Sequence, residues 1–134
     1  MKTLATVLLI VLCAFTLACG GYSSSKTAAP PTAGTTPTIT SLNPNSATHG
    51  DAAFVITVTG TNFSTKAVIN FNGVAQTTNQ VSTTQLTATI AVADIANAGT
   101  MPVTVTNPAV AGTGLYGGGG TLPETSPPMN FTVN

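Results

Sequence analysis

The stretch that most constrains the fold is an alternating run, AFVITVTGTNF, at residues 53–63. Large apolar side chains occupy every second position, at Phe54, Ile56 and Val58. A period of two is typical of a β-strand with one face in a core. We expect this strand to stop at Gly60, where a residue without Cβ lets the chain bend, and Phe63 to act as an apolar plug after the bend.

Further short strands are predicted wherever similar runs lie between turn residues. They fall at residues 37–42, 67–71, 74–77, 85–91, 101–107 and 129–133. Residues 81–82 are expected to continue the edge formed by 74–77. Asn72-Gly73 predicts a tight hairpin, and Asp94 predicts the cap of one helical turn. Ile39 and Leu42 are three positions apart, so both are buried only if the first strand twists or bulges. The pattern indicates an all-β, immunoglobulin-like β-sandwich.

Charge is scarce, with three Lys or Arg and three Asp or Glu residues in 134. Because no basic patch is present, nucleic acid is not expected as a partner. Threonine, serine, asparagine and glutamine must keep the surface polar instead, a composition that suits an extracytoplasmic β protein. The length allows one domain.

The N-terminus predicts a lipoprotein signal peptide over residues 1–18. Lys2 precedes an apolar stretch, Thr3 to Leu17, that as a helix spans about 22 Å, short of the hydrocarbon thickness of about 30 Å. Ala18-Cys19 resembles the end of a lipobox, although Thr16 stands where leucine is commonest. Lipidation of Cys19 is therefore predicted, and an ordinary signal peptide is the alternative.

Residues 19–36 are predicted to be the lipidated cysteine and a flexible linker, because Gly, Ser, Ala, Thr and Pro dominate. The domain itself is assigned to residues 37–134. Both cysteines, Cys13 and Cys19, precede it. The domain therefore has no disulfide and depends on core packing.

Catalytic and metal chemistry is poorly supported. His49 with Asp51 offers two ligands in a turn, and Asp51 with Asp94 offers too few oxygens for Ca²⁺. The glycines at 117–120 lack the Lys-Ser/Thr of a phosphate loop. We expect no metal, no cofactor and no enzymatic activity.

Six motifs follow one another along the chain: PTITSLNP at 37–44, VTGTNF at 58–63, VINFNG at 68–73, TQLTA at 84–88, VTVTNP at 103–108 and FTV at 131–133. Their order resembles that of the IPT/TIG family over about residues 37–134. The resemblance implies an immunoglobulin-like sandwich found in receptors, extracellular bacterial proteins and some transcription factors. It implies no common ligand and no catalytic residue.

One departure from the family pattern is the long connection at residues 109–128, where a short one is usual. Loops of this length are commonly functional or disordered. Leu115 and Tyr116 are its main large side chains and form a candidate partner-binding loop. An inert, disordered insertion is the alternative.

These observations predict a lipid-anchored, extracytoplasmic protein of the cell envelope, facing the periplasm or the cell surface. Its domain is expected to bind an envelope protein or polysaccharide. A carbohydrate-binding module is the first alternative, weakened by the few aromatic residues available for stacking. A small secreted enzyme is the second, and the missing acid–base set argues against it.

Overall fold

The chain forms a β-sandwich in the computed structural model, which describes residues 28–114 and 118–134. In these ranges the strands are β1 Thr38–Asn43, β2 Ser46–Ala47, β3 Phe54–Thr61, β4 Val68–Phe71, β5 Val74–Ala75, β6 Thr78–Ser82, β7 Gln85–Ile90, β8 Gly99–Asn107, β9 Glu124–Thr125 and β10 Met129–Val133. A short 3₁₀ helix, Val92–Ile95, lies between β7 and β8. The all-β, immunoglobulin-like prediction is confirmed, with several of the strands only two residues long.

The strands divide into two sheets, named here for their central strands. The β3 sheet has the order β1-β3-β7-β6, and the β8 sheet has the order β2-β10-β8-β4-β5, with β9 also paired to β8. The β2–β10 pair is parallel and the other strand pairs are antiparallel. Strands β9 and β10 pair with opposite ends of β8, on the side of β8 that faces away from β4.

Alternate residues of both sheets form a single core. Its members include Ile56, Val58, Ile69, Phe71, Leu86, Ile90, Val103, Val105 and Phe131, all fully buried. The Phe131 ring packs edge-on against Phe71 at 5.3 Å and stacks on Phe54 at 5.7 Å between ring centroids. The inward faces predicted from the period of two for β3, β4, β7, β8 and β10 are confirmed.

Two local predictions are also confirmed. The register of β1 against β3 shifts between Ile39 and Ser41, and this irregularity lets Ile39 and Leu42 both be buried. Phe71 pairs with Val74 across a two-residue hairpin, where Asn72 and Gly73 have φ angles of 48° and 80°. Both residue types tolerate these positive values.

The expected bend at Gly60 is wrong. Gly60 is a buried member of β3, which continues to Thr61, and the positive φ of 62° falls on Asn62. A Cβ at position 60 would overlap the carbonyl oxygen of Thr38 and the ring of Phe63. The glycine therefore permits the close approach of β1 and Phe63 to β3.

Two assignments in the middle of the chain also need correction. The hairpin after β4 returns only through Val74–Ala75, and residues 78–82 belong to the other sheet. The chain passes from the β8 sheet to the β3 sheet between β5 and β6, and a hydrogen bond from the Ile69 amide to the Thr78 hydroxyl fixes this passage. Asp94 lies inside the 3₁₀ helix, and its carboxylate accepts a hydrogen bond from the Ala91 amide, so it closes the first turn from within.

The two ends of the sandwich carry different connections. The β3–β4 and β6–β7 connections, the chain leaving β8 and the chain entering β1 meet at one end, named here the loop end. The far end carries the β2–β3 connection, the Asn72-Gly73 hairpin, the 3₁₀ helix and Asn134.

Candidate functional site

The loop end carries the long connection that the sequence singled out. Val110 and Thr121 form an antiparallel bridge at its base, and β9 occupies Glu124–Thr125. The stretch 109–128 is therefore partly built into the β8 sheet, unlike the open loop expected. Leu115 and Tyr116, the candidate binding residues, lie outside the described residues, as does the predicted lipidation site Cys19.

A second segment is bound against this connection. Residues 28–36 run beside 118–124, and we name this pair of segments the clasp. The Thr32 amide donates to the Gly120 carbonyl at 2.9 Å, and the Leu122 amide donates to the Thr32 carbonyl at 2.9 Å. A weaker bond joins the Gly119 amide to the Ala29 carbonyl at 3.3 Å. Residues 28–36 are thus attached to the domain, although their composition predicted a flexible linker.

The loop end also contains a pocket of about 450 Å³ that is open to solvent, named here the loop-end pocket. Four connections contribute its walls, through Thr35, Thr61, Asn62, Phe63, Ser64, Thr83, Thr84 and Asn107. None of these side chains carries a charge. Phe63, which the sequence predicted to be a plug, is 3% exposed and forms part of the apolar wall.

Asn107 fixes the geometry of the pocket. Its amide nitrogen donates to the carbonyls of Thr35 and Asn62, each at 2.8 Å, and its amide oxygen accepts from the Ser64 amide at 3.0 Å. The residue is 5% exposed, so these bonds satisfy groups that water does not reach. One side chain therefore joins β8, the β3–β4 connection and the segment before β1.

Ser64 presents the opposite situation. Its hydroxyl oxygen is buried and has no hydrogen-bond partner in the described part of the chain. A buried polar atom without a partner costs free energy, so a water or ligand is expected to complete it. Sequence reasoning missed Ser64 and Asn107, because a lone serine and a strand-ending asparagine give no local signal.

The residues considered for metal binding lie at the far end and have structural partners. His49 Nδ1 donates to the main-chain oxygen of Asn134 at 2.9 Å, and the Asp51 carboxylate accepts from the Thr48 amide at 2.9 Å. Across residues 28–114 and 118–134, no three side chains of His, Cys, Asp or Glu are grouped to hold a metal. In the same ranges no helix is long and apolar enough to cross a membrane.

The fold and the loop end together define an immunoglobulin-like module in which connections gather at one end of a rigid sandwich. The sequence model of the IPT/TIG domain family matches residues 37–122, and the chain belongs to that family. Domains of this family are typically non-enzymatic and often have interaction roles. No curated protein matches the sequence significantly. Strand β10, which follows the matched range, completes the β8 sheet.

Proposed function

We propose that this protein is a lipid-anchored, extracytoplasmic component of the cell envelope whose domain binds an envelope partner without catalysing a reaction. The anchor is supported by the apolar N-terminal stretch that ends at Ala18-Cys19. Two or more acyl chains attached at Cys19 would bury many CH₂ groups at about 0.8 kcal/mol each, which suffices for stable attachment.

The observation that carries the binding role is the construction of the loop end. Strands β3 and β8 hold four connections in fixed relation, and the hydrogen bonds of Asn107 tie three of these parts together. Rigid strands that present clustered loops are a common platform for recognition. The long connection at 109–128 includes Leu115 and Tyr116 in its sequence. We assign them the contact with a protein partner, since a tyrosine offers apolar area and a hydroxyl together.

Site-specific photocrosslinking in the native envelope tests this role. A benzophenone amino acid replaces Tyr116 in the full-length protein, and a matched variant carries it at Val55, which is 56% exposed on the outer face of the β3 sheet. We expect a discrete crosslinked product from position 116 and none from position 55. Products from position 55 alone would move the binding surface to the sheet face.

A second candidate function, carbohydrate binding, is favoured by one observation, the uncharged loop-end pocket. Carbohydrate binding in this pocket does not depend on a protein contact made by the long connection. The two roles are compatible, because they assign different residues: the uncharged lining of the pocket to a sugar, and Leu115 and Tyr116 to a protein.

A further inference from the structure

We propose that the loop-end pocket binds a single neutral sugar unit, such as the end of an envelope polysaccharide. This inference rests on the proposed function only in placing the domain outside the cytoplasm. The pocket volume of about 450 Å³ lies inside the range of about 300–1,000 Å³ that small-molecule sites occupy. The chemistry of its walls selects the ligand class.

The lack of charge in the walls is the first selecting feature. The lining consists of threonine, serine and asparagine side chains with one phenylalanine. A phosphate, carboxylate or ammonium group that entered would lose hydration without gaining an opposite charge, which is strongly unfavourable. The pocket therefore discriminates against charged ligands and accepts neutral ones.

The threonines are the second feature. Thr35, Thr61, Thr83 and Thr84 all line the pocket. Each offers a methyl group beside a hydroxyl that can both donate and accept a hydrogen bond. A sugar ring likewise alternates C–H groups with hydroxyls that donate and accept. Thr84 is already engaged with the Ser82 hydroxyl at 3.1 Å.

The Ser64 hydroxyl is the third feature and the most specific. It is buried at the pocket without a partner among the described residues. Because this oxygen is itself buried, a ligand hydroxyl pairs with it once the Ser64 side chain rotates toward the pocket; that pair satisfies both groups, whereas an apolar ligand leaves the oxygen unpaired. The position of Ser64 does not depend on this hydroxyl, because its backbone amide is bound to Asn107.

The pocket is also held in shape before any ligand arrives. The Phe63 amide donates to the Thr83 carbonyl at 3.1 Å, and the Gly60 amide donates to the Thr84 carbonyl at 2.9 Å. These bonds fix the β6–β7 connection against the end of β3. A preformed site loses little conformational entropy on binding.

The form of the ligand follows from Phe63. Its ring is almost wholly buried, so it cannot serve as a stacking platform for a run of sugar rings. We therefore expect recognition of one terminal unit, with affinity in the millimolar range, about −4 kcal/mol.

The test uses the full chain purified in detergent. An array of neutral mono- and oligosaccharides is compared with sialylated, sulfated and uronic-acid glycans, and binders are then titrated by ligand-observed NMR. We expect neutral saccharides to bind in preference to the charged glycans. Ser64→Ala and Thr83→Val should each weaken binding about fivefold or more, the loss that follows removal of one hydrogen bond.

The matched control is Thr89→Val, which makes the same change at an exposed position on the outer face of the β3 sheet. It should leave the affinity unchanged. Thr83→Val also keeps the test decisive if Ser64→Ala lowers the melting temperature.

Three results would overturn the inference: no neutral saccharide bound at 10 mM (about −2.7 kcal/mol), preference for charged glycans, or equal binding by the pocket variants and the wild type. A protein or peptide that occupies the pocket and is released by Ser64→Ala would overturn it as well. None of these results bears on the proposed anchor or on crosslinking from position 116, so the proposed function is judged separately.

Discussion

At the residue scale, Phe71 shows how the period of two determines core contacts. The alternation in β4 predicts its inward direction, and the ring is fully buried against Phe131. With no disulfide in the domain, Phe71→Ala should lower the free energy of unfolding by about 3–5 kcal/mol. Thr57→Ala, on the opposite face of β3, should lower it by about 1 kcal/mol or less. Urea unfolding of both variants measures the difference, and equal losses would mean that the face assignment is wrong.

Asn107 supports a second residue-scale prediction. Asn107→Ala leaves the Ser64 amide and the carbonyls of Thr35 and Asn62 without their partner, which should cost about 2–4 kcal/mol. Asn70→Ala is the matched control, because the Asn70 side-chain amide donates to the half-buried hydroxyls of Thr104 and Thr106. Its loss in thermal unfolding should be at most about 1 kcal/mol. A larger loss for Asn70→Ala would contradict the role given to Asn107.

What the sequence predicts at this scale follows from the distance to each residue's partners. The burial of Phe71 is predictable because the alternating pattern that indicates it lies within its own strand. The hydrogen bonds of Asn107 are not predictable, since its partners lie 43 to 72 positions away along the chain. Gly60 is misassigned for the same reason, because the Thr38 carbonyl that it accommodates belongs to another strand.

At the element scale, the clasp depends on close backbone contact. A Cβ at Gly34 would come within 2.5 Å of the Leu122 carbonyl oxygen and 3.0 Å of Glu124 Cγ. Gly34→Ala should therefore separate residues 28–36 from the connection, and the amides of Thr32 and Leu122 should lose their protection from hydrogen exchange.

Exchange in the core strands should change much less, because residues 28–36 contribute no side chain to the core, although Asn107 loses its hydrogen bond to the Thr35 carbonyl. Ala33→Ser, at an exposed neighbouring position, is the control and should retain protection at both amides. Full protection in Gly34→Ala would mean that the clasp tolerates the extra carbon. The clasp also limits loop engineering, since replacing residues 112–123 would remove Gly120, Thr121 and Leu122 together.

Elements were predictable where turn chemistry is local. The Asn72-Gly73 hairpin and the last strand, Met129–Val133, agree with the sequence. The transfer of residues 78–82 to the β3 sheet could not be foreseen, because a short edge strand carries the same alternation in either sheet. The clasp was missed because backbone hydrogen bonds form irrespective of the small side chains that suggested a linker.

At the scale of the whole molecule, the clasp and the proposed anchor together set the orientation of the domain. Ala28 follows Cys19 by nine residues. Whatever their conformation, nine residues span at most about 32 Å. The chain joins the sandwich at the loop end, whereas the far end is a further strand length away, about 30 Å for β8. With Cys19 lipidated, the loop end should face the bilayer and meet partners close to its surface.

Energy transfer from the domain to acceptor-labelled lipids tests this orientation. Donor dyes are placed singly at Thr65→Cys, at the loop end, and at Ala52→Cys, at the far end; both positions are exposed and neither lines the pocket. Transfer should be clearly more efficient from position 65. Adding Gly34→Ala should release residues 28–36, which lengthens the tether to about 17 residues and its reach to about 60 Å. The difference in transfer efficiency between positions 65 and 52 should then become smaller. Equal transfer from both positions in the anchored wild type, with membrane attachment verified by its loss in Cys19→Ser, would show that the clasp does not orient the domain.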